Sequence, residues 1–381
     1  MTVQVIISML RYAGEDLENN PHIVVLGSCK VGNFVVSTPS LNGLKNRFPG
    51  SVIGFIGSDV TADFEKSHPC IDWRVSWDHV DPLALMHLAD GLATAMQAHG
   101  PVALAINLDG FNPVTQVLIS YLNPHYVAGG GLTQNRRRRL PWGDLPSQAF
   151  LADPDWDSPA FLERYSHVFR TQYIAELFAH LAGVAEHCDP TAIALPAVFP
   201  SFEVPDVLIH CTTARAAKVW PVQFWRVVID FLDEANYSVG LVGAPPRQQK
   251  QAYNSGDGED WLLQVTQLQD LRGLTSLIEL AGACQQARAV VSVDAGPLHV
   301  AAAMGVPTLA VVGNDADGHG ASPIRLWMPR AANVERTVAE HTCLSCAEAR
   351  FSNDSCLEER HHCMLSVEPD QVIRWLKSVL V

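Results

Sequence analysis

Positive charge is scarce in this 381-residue sequence: Lys and Arg together number 26 against 40 Asp and Glu, a formal net charge of −14. A duplex nucleic-acid binder presents a basic face, and this balance argues against one. The one basic run, Arg136–Arg139, reads either as a solvated loop or as a contact for an anion or acceptor. Long apolar runs are missing too, since no stretch reaches the ~18 residues that a membrane-spanning helix needs. The opening MTVQVIISMLRYAGEDLENN has no basic segment before its short apolar run and then turns acidic, so no secretory leader is expected and the protein is read as cytoplasmic. Charged residues are only 17% of the chain and hydrophobic ones 48%, which excludes a disordered polyampholyte and fits a well-cored globular protein. Nine cysteines in an intracellular chain are not a disulfide framework; Cys29, Cys70, Cys188, Cys211 and Cys284 are scattered and read as ordinary thiols of the interior.

The length suggests two domains. Short apolar runs alternate with helical stretches: HIVVL at 22–26, a loop GSCKVGN, a helix ending near Arg47, SVIGFIG, and a further run from Val102 to Leu108 that ends in Asp109. Such βαβ order predicts a parallel sheet. Residues 129–157 read as a long loop or lid, and a helix is expected over about 159–181. PAVFPSFEVP, with three prolines, reads as a linker. A second α/β half comes after it, with strands at VLIHC, YSVGLVG, AVVSVD and VPTLAVVG. The organisation expected is therefore two doubly wound domains, 1–195 and 196–381, facing a cleft, with ligands beyond the carboxyl ends of the strands.

The most informative segment is VSVDAGPLHVAAAMGVPTLAVVG. A buried strand ends at Asp294, turns through Ala295 and Gly296, and opens a helix at Pro297 or Leu298, with His299 in the first turn. A helix N-terminus offers unpaired N–H groups and partial positive charge, which suit a phosphate; the plainer reading is that Asp294 only caps the helix. The segment resembles the D-T/S-G-x-x-H-x-A-A-A-x-G-x-P motif of glycosyltransferase family nine, the heptosyltransferases, where it holds the donor diphosphate. Ala295 stands where that family usually has a hydroxyl residue. HCTTARAAKVWPVQFW is similar to the family's segment after the first strand of the C-terminal domain, which places Lys218 at its Lys position and Thr212 and Thr213 beside the phosphates. Lysine there is a mobile point charge suited to a diphosphate leaving group. GLVGAPPRQQK would let Gly243 and its neighbours approach the nucleotide, and LRGLTSLIELAGAC resembles the family's donor-binding region, where Gly273 and Thr275 precede a helix near the base; Glu279 and Leu277 read as cap and core, and Trp220, Phe224 and Trp225 as core. The resemblance covers about residues 22–60 and 205–375.

One position departs from the family. Its opening loop typically ends in Gly-Asp, the Asp being the base, and here the pair is Gly32-Asn33. An amide cannot take a proton as a carboxylate does. Asp109, at a strand end and followed by Gly110, is the substitute candidate, and a turn carboxylate is its plainer role.

CLSCAEARFSNDSCLEERHHC sets Cys343, Cys346, Cys356 and Cys363 within one short stretch, 343–363, a spacing suited to a tetrahedral thiolate site for zinc or iron. His361 and His362 read as solvated. Within the family the autotransporter adhesin heptosyltransferases are most similar here, and that branch implies structural iron on four cysteines, zinc being the second choice, with a homo-oligomer. Taken together, the resemblance implies a GT-B fold whose N-terminal domain binds the acceptor and whose C-terminal domain binds a nucleotide sugar. It implies inverting transfer of heptose from ADP-heptose to a hydroxyl, expected to be a protein Ser of an adhesin. Lys218 and the turn Asp294-Ala295-Gly296-Pro297-Leu298-His299 would stabilise the leaving ADP. The competing readings are a transferase acting on lipopolysaccharide core or a small molecule, a sugar-nucleotide epimerase, and a catalytically dead sugar-nucleotide-binding metalloprotein.

Overall fold

A computed structural model describes residues 9–78, 82–254, 256–313, 324–339 and 343–380. The chain divides into two compact units, Met1–Ile193 and Ala194–Val381.

The first unit carries β1 (Leu10–Arg11), β2 (His22–Leu26), β3 (Val52–Gly57), β4 (Trp73–Ser76), β5 (Leu104–Asn107) and β6 (Tyr126–Gly129). They form one sheet in the order β1-β6-β5-β2-β3-β4, and every pairing is parallel. A parallel sheet is covered on both faces, so its strands are continuously apolar rather than alternating. Accordingly all five residues of β2 are buried. Val24, Leu26, Ile56, Ala105 and Val127 of the sheet share a core with Leu88 and Leu92 of the helix Pro82–His99 and Ile119 of the helix Pro113–Tyr121.

The second unit carries β7 (Val207–His210), β8 (Val239–Leu241), β9 (Gln269–Asp270), β10 (Ala289–Val293), β11 (Thr308–Val311) and β12 (Val334–Thr337), ordered β12-β11-β10-β7-β8-β9 and again wholly parallel. Read along the chain this is the dinucleotide-fold order 3-2-1-4-5-6, whose strand order reverses between β7 and β10. The corresponding reversal in the first unit lies between β2 and β5. Trp225, Val228, Ile229 and Leu232 of the helix Val222–Glu234 pack with Val372, Trp375 and Leu376 of the helix Pro369–Val379 under this sheet. Trp220 and Trp225 are almost fully buried, as core aromatics should be, and truncating either would cost on the order of 3–5 kcal/mol. The Trp220 indole also donates to Val367 O at 2.8 Å.

The doubly wound α/β class read from the pattern is present in both units. One helix differs from expectation: 159–181 is not continuous, but two pieces, Phe161–Tyr165 and Ile174–Leu181. The Glu176 carboxylate accepts from the N–H groups of Arg170 and Thr171, and this turns the chain ahead of the second piece. The strands β1 and β9 escaped the sequence reading because they are two residues long, and β4 and β12 because WRVS and VERT contain no apolar run. Among the described residues no helix is long and apolar enough to cross a membrane.

Candidate functional site

In the second unit the strand reversal brings two segments together. β7 and β10 pair with His210 opposite Ser292, so the chain leaving β7 runs beside the chain leaving β10. After β7 come Cys211, Thr212 and Thr213, all buried, then the single 3₁₀ turn Ala216–Lys218. Buried Trp220 anchors the chain just beyond this turn, and Lys218 reaches back across the reversal. Its ammonium donates to Asp294 O at 3.0 Å and to Asp294 Oδ2 at 3.2 Å, with the two side chains only 18% and 10% exposed. An ammonium has three N–H donors, so this geometry leaves one for a further acceptor.

Asp294 closes β10 and the helix Gly296–Ala303 begins beyond it. Its N-cap residue is Ala295, extended at φ −152°, and no side chain caps the helix. Serine, threonine or aspartate at an N-cap would occupy one of the orphan first-turn amides; alanine cannot. The result is a helix end with its partial positive charge, a lysine ammonium hydrogen-bonded beside it, and no side-chain cap on its amides. His299, in the first turn, is 4% exposed, and its Nδ1 has no hydrogen-bond partner among the described residues. Burial pulls its pKa down to about 4, opposed by Asp294 and assisted by Lys218, so the ring is neutral at pH 7. A neutral imidazole with an unsatisfied buried nitrogen is costly unless something polar meets it. Leu298 is different: its side chain belongs to a core cluster with Ala310, Val312, Ile324 and Met328, so only its backbone faces this end of the helix.

Three other residues expected at the donor are engaged within the unit. Thr212 is fully buried and its Oγ1 accepts from Gln249 Nε2 at 2.7 Å. A Cβ on Gly243 would stand 2.5 Å from that same Gln249 nitrogen, so the space beside Gly243 is filled by the glutamine. Gly273 sits at φ +71°, donates to Gly243 O at 2.9 Å, and would place a Cβ 2.8 Å from Pro245 Cα. Gln249 and Pro245 thus fill the space a side chain would take at Gly243 and Gly273. Thr213 is likewise tied down, its carbonyl accepting from Asn254 N–H at 2.8 Å. Beneath them Arg272 pairs with Glu259 at 3.3 Å, Asp260 at 3.0 Å and Asp270 at 2.8 Å. Burial lifts the Glu259 carboxyl to about 7 against the pull of Arg272. Glu279 is a cap, as read: it and Ser276 form a reciprocal capping box at the helix Leu277–Gln286.

In the first unit Asp109 lies two residues beyond β5 at the equivalent reversal. Its N–H donates to Asn107 Oδ1 at 3.1 Å, and Asn112 Nδ2 donates to its Oδ2 at 3.3 Å. Burial raises its pKa above the ordinary range, against the opposing effects of the Asn112 hydrogen bond and Lys30. Asn33, in the first turn of the helix Val31–Arg47 that follows β2, donates to Ser28 Oγ.

The cysteine-rich stretch lies against the turn that carries Lys218. Among the described residues no three His, Cys, Asp or Glu side chains are grouped so as to hold a metal ion, and none of the nine cysteines is in a disulfide. Cys346 packs against Ala217 and Phe351 and accepts from Asn353 Nδ2 at 3.3 Å, whereas Cys363 is part of the main apolar core. Cys343 and Cys356 lie close enough to Cys346 to raise its pKa, after burial, the largest cause. His361 is not a solvated residue: its Nε2 hydrogen-bonds Ala217 O at 3.0 Å.

With this geometry in place, comparison with known proteins is informative. The family model described as glycosyltransferase family 9 (heptosyltransferase) matches residues 137–353, more than half of the chain. The chain is 23% identical over 309 residues to lipopolysaccharide heptosyltransferase 1 of Escherichia coli strain K12, covering 76% of this chain and 87% of that protein. Its fold is similar to that of the E. coli heptosyltransferase WaaC with ADP, at a TM-score of 0.63 and 15% identity, covering 94% of this chain and 99% of that one. It is also similar to the iron-containing dodecameric glycosyltransferase TibC of enterotoxigenic E. coli, at a TM-score of 0.56 and 13% identity over 96% of this chain and 80% of that one.

Proposed function

The chain belongs to glycosyltransferase family 9, the heptosyltransferases, and from that membership we propose that it transfers a heptose from ADP-heptose to an acceptor hydroxyl with inversion at C1. The second unit takes the donor and the first the acceptor. The observation that carries this reading is the Lys218 ammonium, oriented by Asp294, beside a helix N-terminus without a side-chain cap among the described residues, which together offer N–H donors to a diphosphate. Asp109 removes the proton from the acceptor hydroxyl as its oxygen attacks C1. The bond from C1 to the diphosphate oxygen breaks, and ADP leaves with the electron pair. Lys218 and main-chain N–H groups of the turn 294–299, other than Pro297, which has none, and Leu298, which donates to Ala295 O, stabilise the charge that develops on it.

The acceptor proposed is a Ser hydroxyl of an adhesin-type protein. Asn33 in place of a carboxylate, the raised pKa of Asp109 and the similarity of fold to TibC support it. A lipopolysaccharide-core acceptor is the second reading, favoured by the match to lipopolysaccharide heptosyltransferase 1. A homo-oligomer goes with the first reading. Iron on Cys343, Cys346, Cys356 and Cys363, with zinc second, has no part in this mechanism; one iron per chain by elemental analysis supports it and a metal-free protein opposes it.

The test is mass spectrometry of the purified protein with ADP-heptose, UDP-glucose and GDP-mannose, each beside adhesin and lipopolysaccharide-core acceptors. A +heptose product from ADP-heptose alone is expected. Transfer from another donor, or conversion of the donor without transfer, contradicts the reading.

A further inference from the structure

The turn that carries Lys218 is only three residues long, Ala216–Lys218, and so short a 3₁₀ piece takes its position from tertiary contacts rather than from its own hydrogen bonds. Beside the Lys218–Asp294 pair and buried Trp220, the contacts on its backbone come from a stretch more than a hundred residues along the chain. The Ala217 N–H donates to Asp354 O at 2.8 Å, and the Ala217 carbonyl accepts from His361 Nε2–H at 3.0 Å. Because a carbonyl only accepts, the His361 tautomer is fixed with its proton on Nε2. Arg215, just before the turn, donates from Nε to Asn353 O at 2.9 Å and from Nη2 to Asn353 Oδ1 at 3.1 Å. The Ala217 side chain is fully buried against Cys346, with Phe351 packed on the same cluster. Asn353 is itself fixed, donating to Ser355 O at 2.8 Å and to Cys346 Sγ at 3.3 Å. Both peptide groups of Ala217 are therefore bonded to the cysteine-rich stretch, one residue from the lysine.

We propose that the stretch Cys346–His361 is the cradle that positions Lys218 for the donor diphosphate, with His361 and Asn353 as positioning residues. This rests on the reading of Lys218 as a phosphate contact. An ammonium held at 3.0–3.2 Å from Asp294 is useful only if its backbone is placed to within a fraction of an ångström, and a rigid support supplies that placement. The stretch thus has a function that requires no metal: it is a clamp on the 215–218 segment.

The experiment is ADP titration calorimetry on the full chain, with donor and acceptor KM measured in parallel, for Lys218→Ala, His361→Ala, His361→Gln, Asn353→Ala and the doubles with Lys218→Ala. His361→Ala and Asn353→Ala are expected to weaken ADP about tenfold and raise the donor KM by the same factor, leaving the acceptor KM unchanged. His361→Gln, which keeps a side-chain N–H, restores most of the affinity. In the Lys218→Ala background neither substitution weakens ADP further, because each acts through the lysine. If Lys218→Ala itself leaves ADP binding intact, the phosphate role of Lys218 fails. If Lys218→Ala weakens ADP while His361→Ala and Asn353→Ala bind as the parent does, or weaken it by the same factor with and without the lysine, the cradle is overturned. Should His361→Ala not fold, Asn353→Ala and His361→Gln decide by the same criteria.

Discussion

The two units are built on one plan and equipped for opposite chemistry. Each is a six-stranded parallel sheet whose strand order reverses at its middle, between β2 and β5 in the first and between β7 and β10 in the second. At the second reversal the chain presents a lysine ammonium oriented by Asp294 and a helix end without a side-chain cap among the described residues, whose N–H donors favour an anion. At the first it presents a carboxylate whose pKa burial has raised, which favours proton transfer. The scaffold thus fixes where chemistry can occur, and a few loop residues decide its sign.

Exchanging or deleting those residues is the way to break the comparison. Asp109→Asn should have the largest effect, lowering the transfer rate about 10³-fold, the scale of a lost general base, while ADP affinity stays at the parent value. The same variant sharpens the point through pH. The base acts only when deprotonated, so kcat/KM should fall as pH drops through its raised pKa, and that acid limb should lie above the ordinary Asp range and vanish in Asp109→Asn. Next, Lys218→Ala should lower kcat/KM about 10²-fold and, unlike Asp109→Asn, weaken ADP binding, as calorimetry would register. Gly273→Ala should act on folding rather than chemistry. It forces a Cβ onto a backbone at φ +71° and within 2.8 Å of Pro245 Cα, a loss of about 1–3 kcal/mol that urea unfolding would detect. The smallest effect on folding stability is that of protonating His299. Its folded pKa of about 4 lies below the ordinary 6.5, so the unfolded chain takes up the proton first. Its contribution to stability is complete above about pH 6.5 and declines as pH falls toward 4; His299→Asn should make that limb shallower.

The same contrast governs what could be read from the sequence. The second unit was legible because a long buried strand, the Asp294–His299 turn and the Lys218 segment are local patterns, each contained within about twenty residues. Strands as short as β1 and β9 carry too little periodicity to be seen, and the break before Ile174 goes with hydrogen bonds from the Arg170 and Thr171 N–H groups to Glu176 that a helical pattern conceals. The hydrogen bond from Gln249 to Thr212, between residues some forty apart in sequence, could not be read from either local pattern. The clamp of Asn353 and His361 on Ala217 spans more than a hundred residues, and cysteine spacing alone points to a metal without revealing it. One signal was available: a stretch with little periodicity and a histidine pair needs some partner for its polar groups.

The central claim is that the turn 294–299 with Lys218 holds the donor diphosphate while Asp109 serves only the acceptor. Calorimetric titration of ADP into the full chain, into Lys218→Ala and into Asp109→Asn tests it most directly. The account predicts ADP binding to the parent and to Asp109→Asn with one affinity, and a loss of at least tenfold in Lys218→Ala. Equal weakening by both substitutions, or undiminished binding to Lys218→Ala, would contradict it.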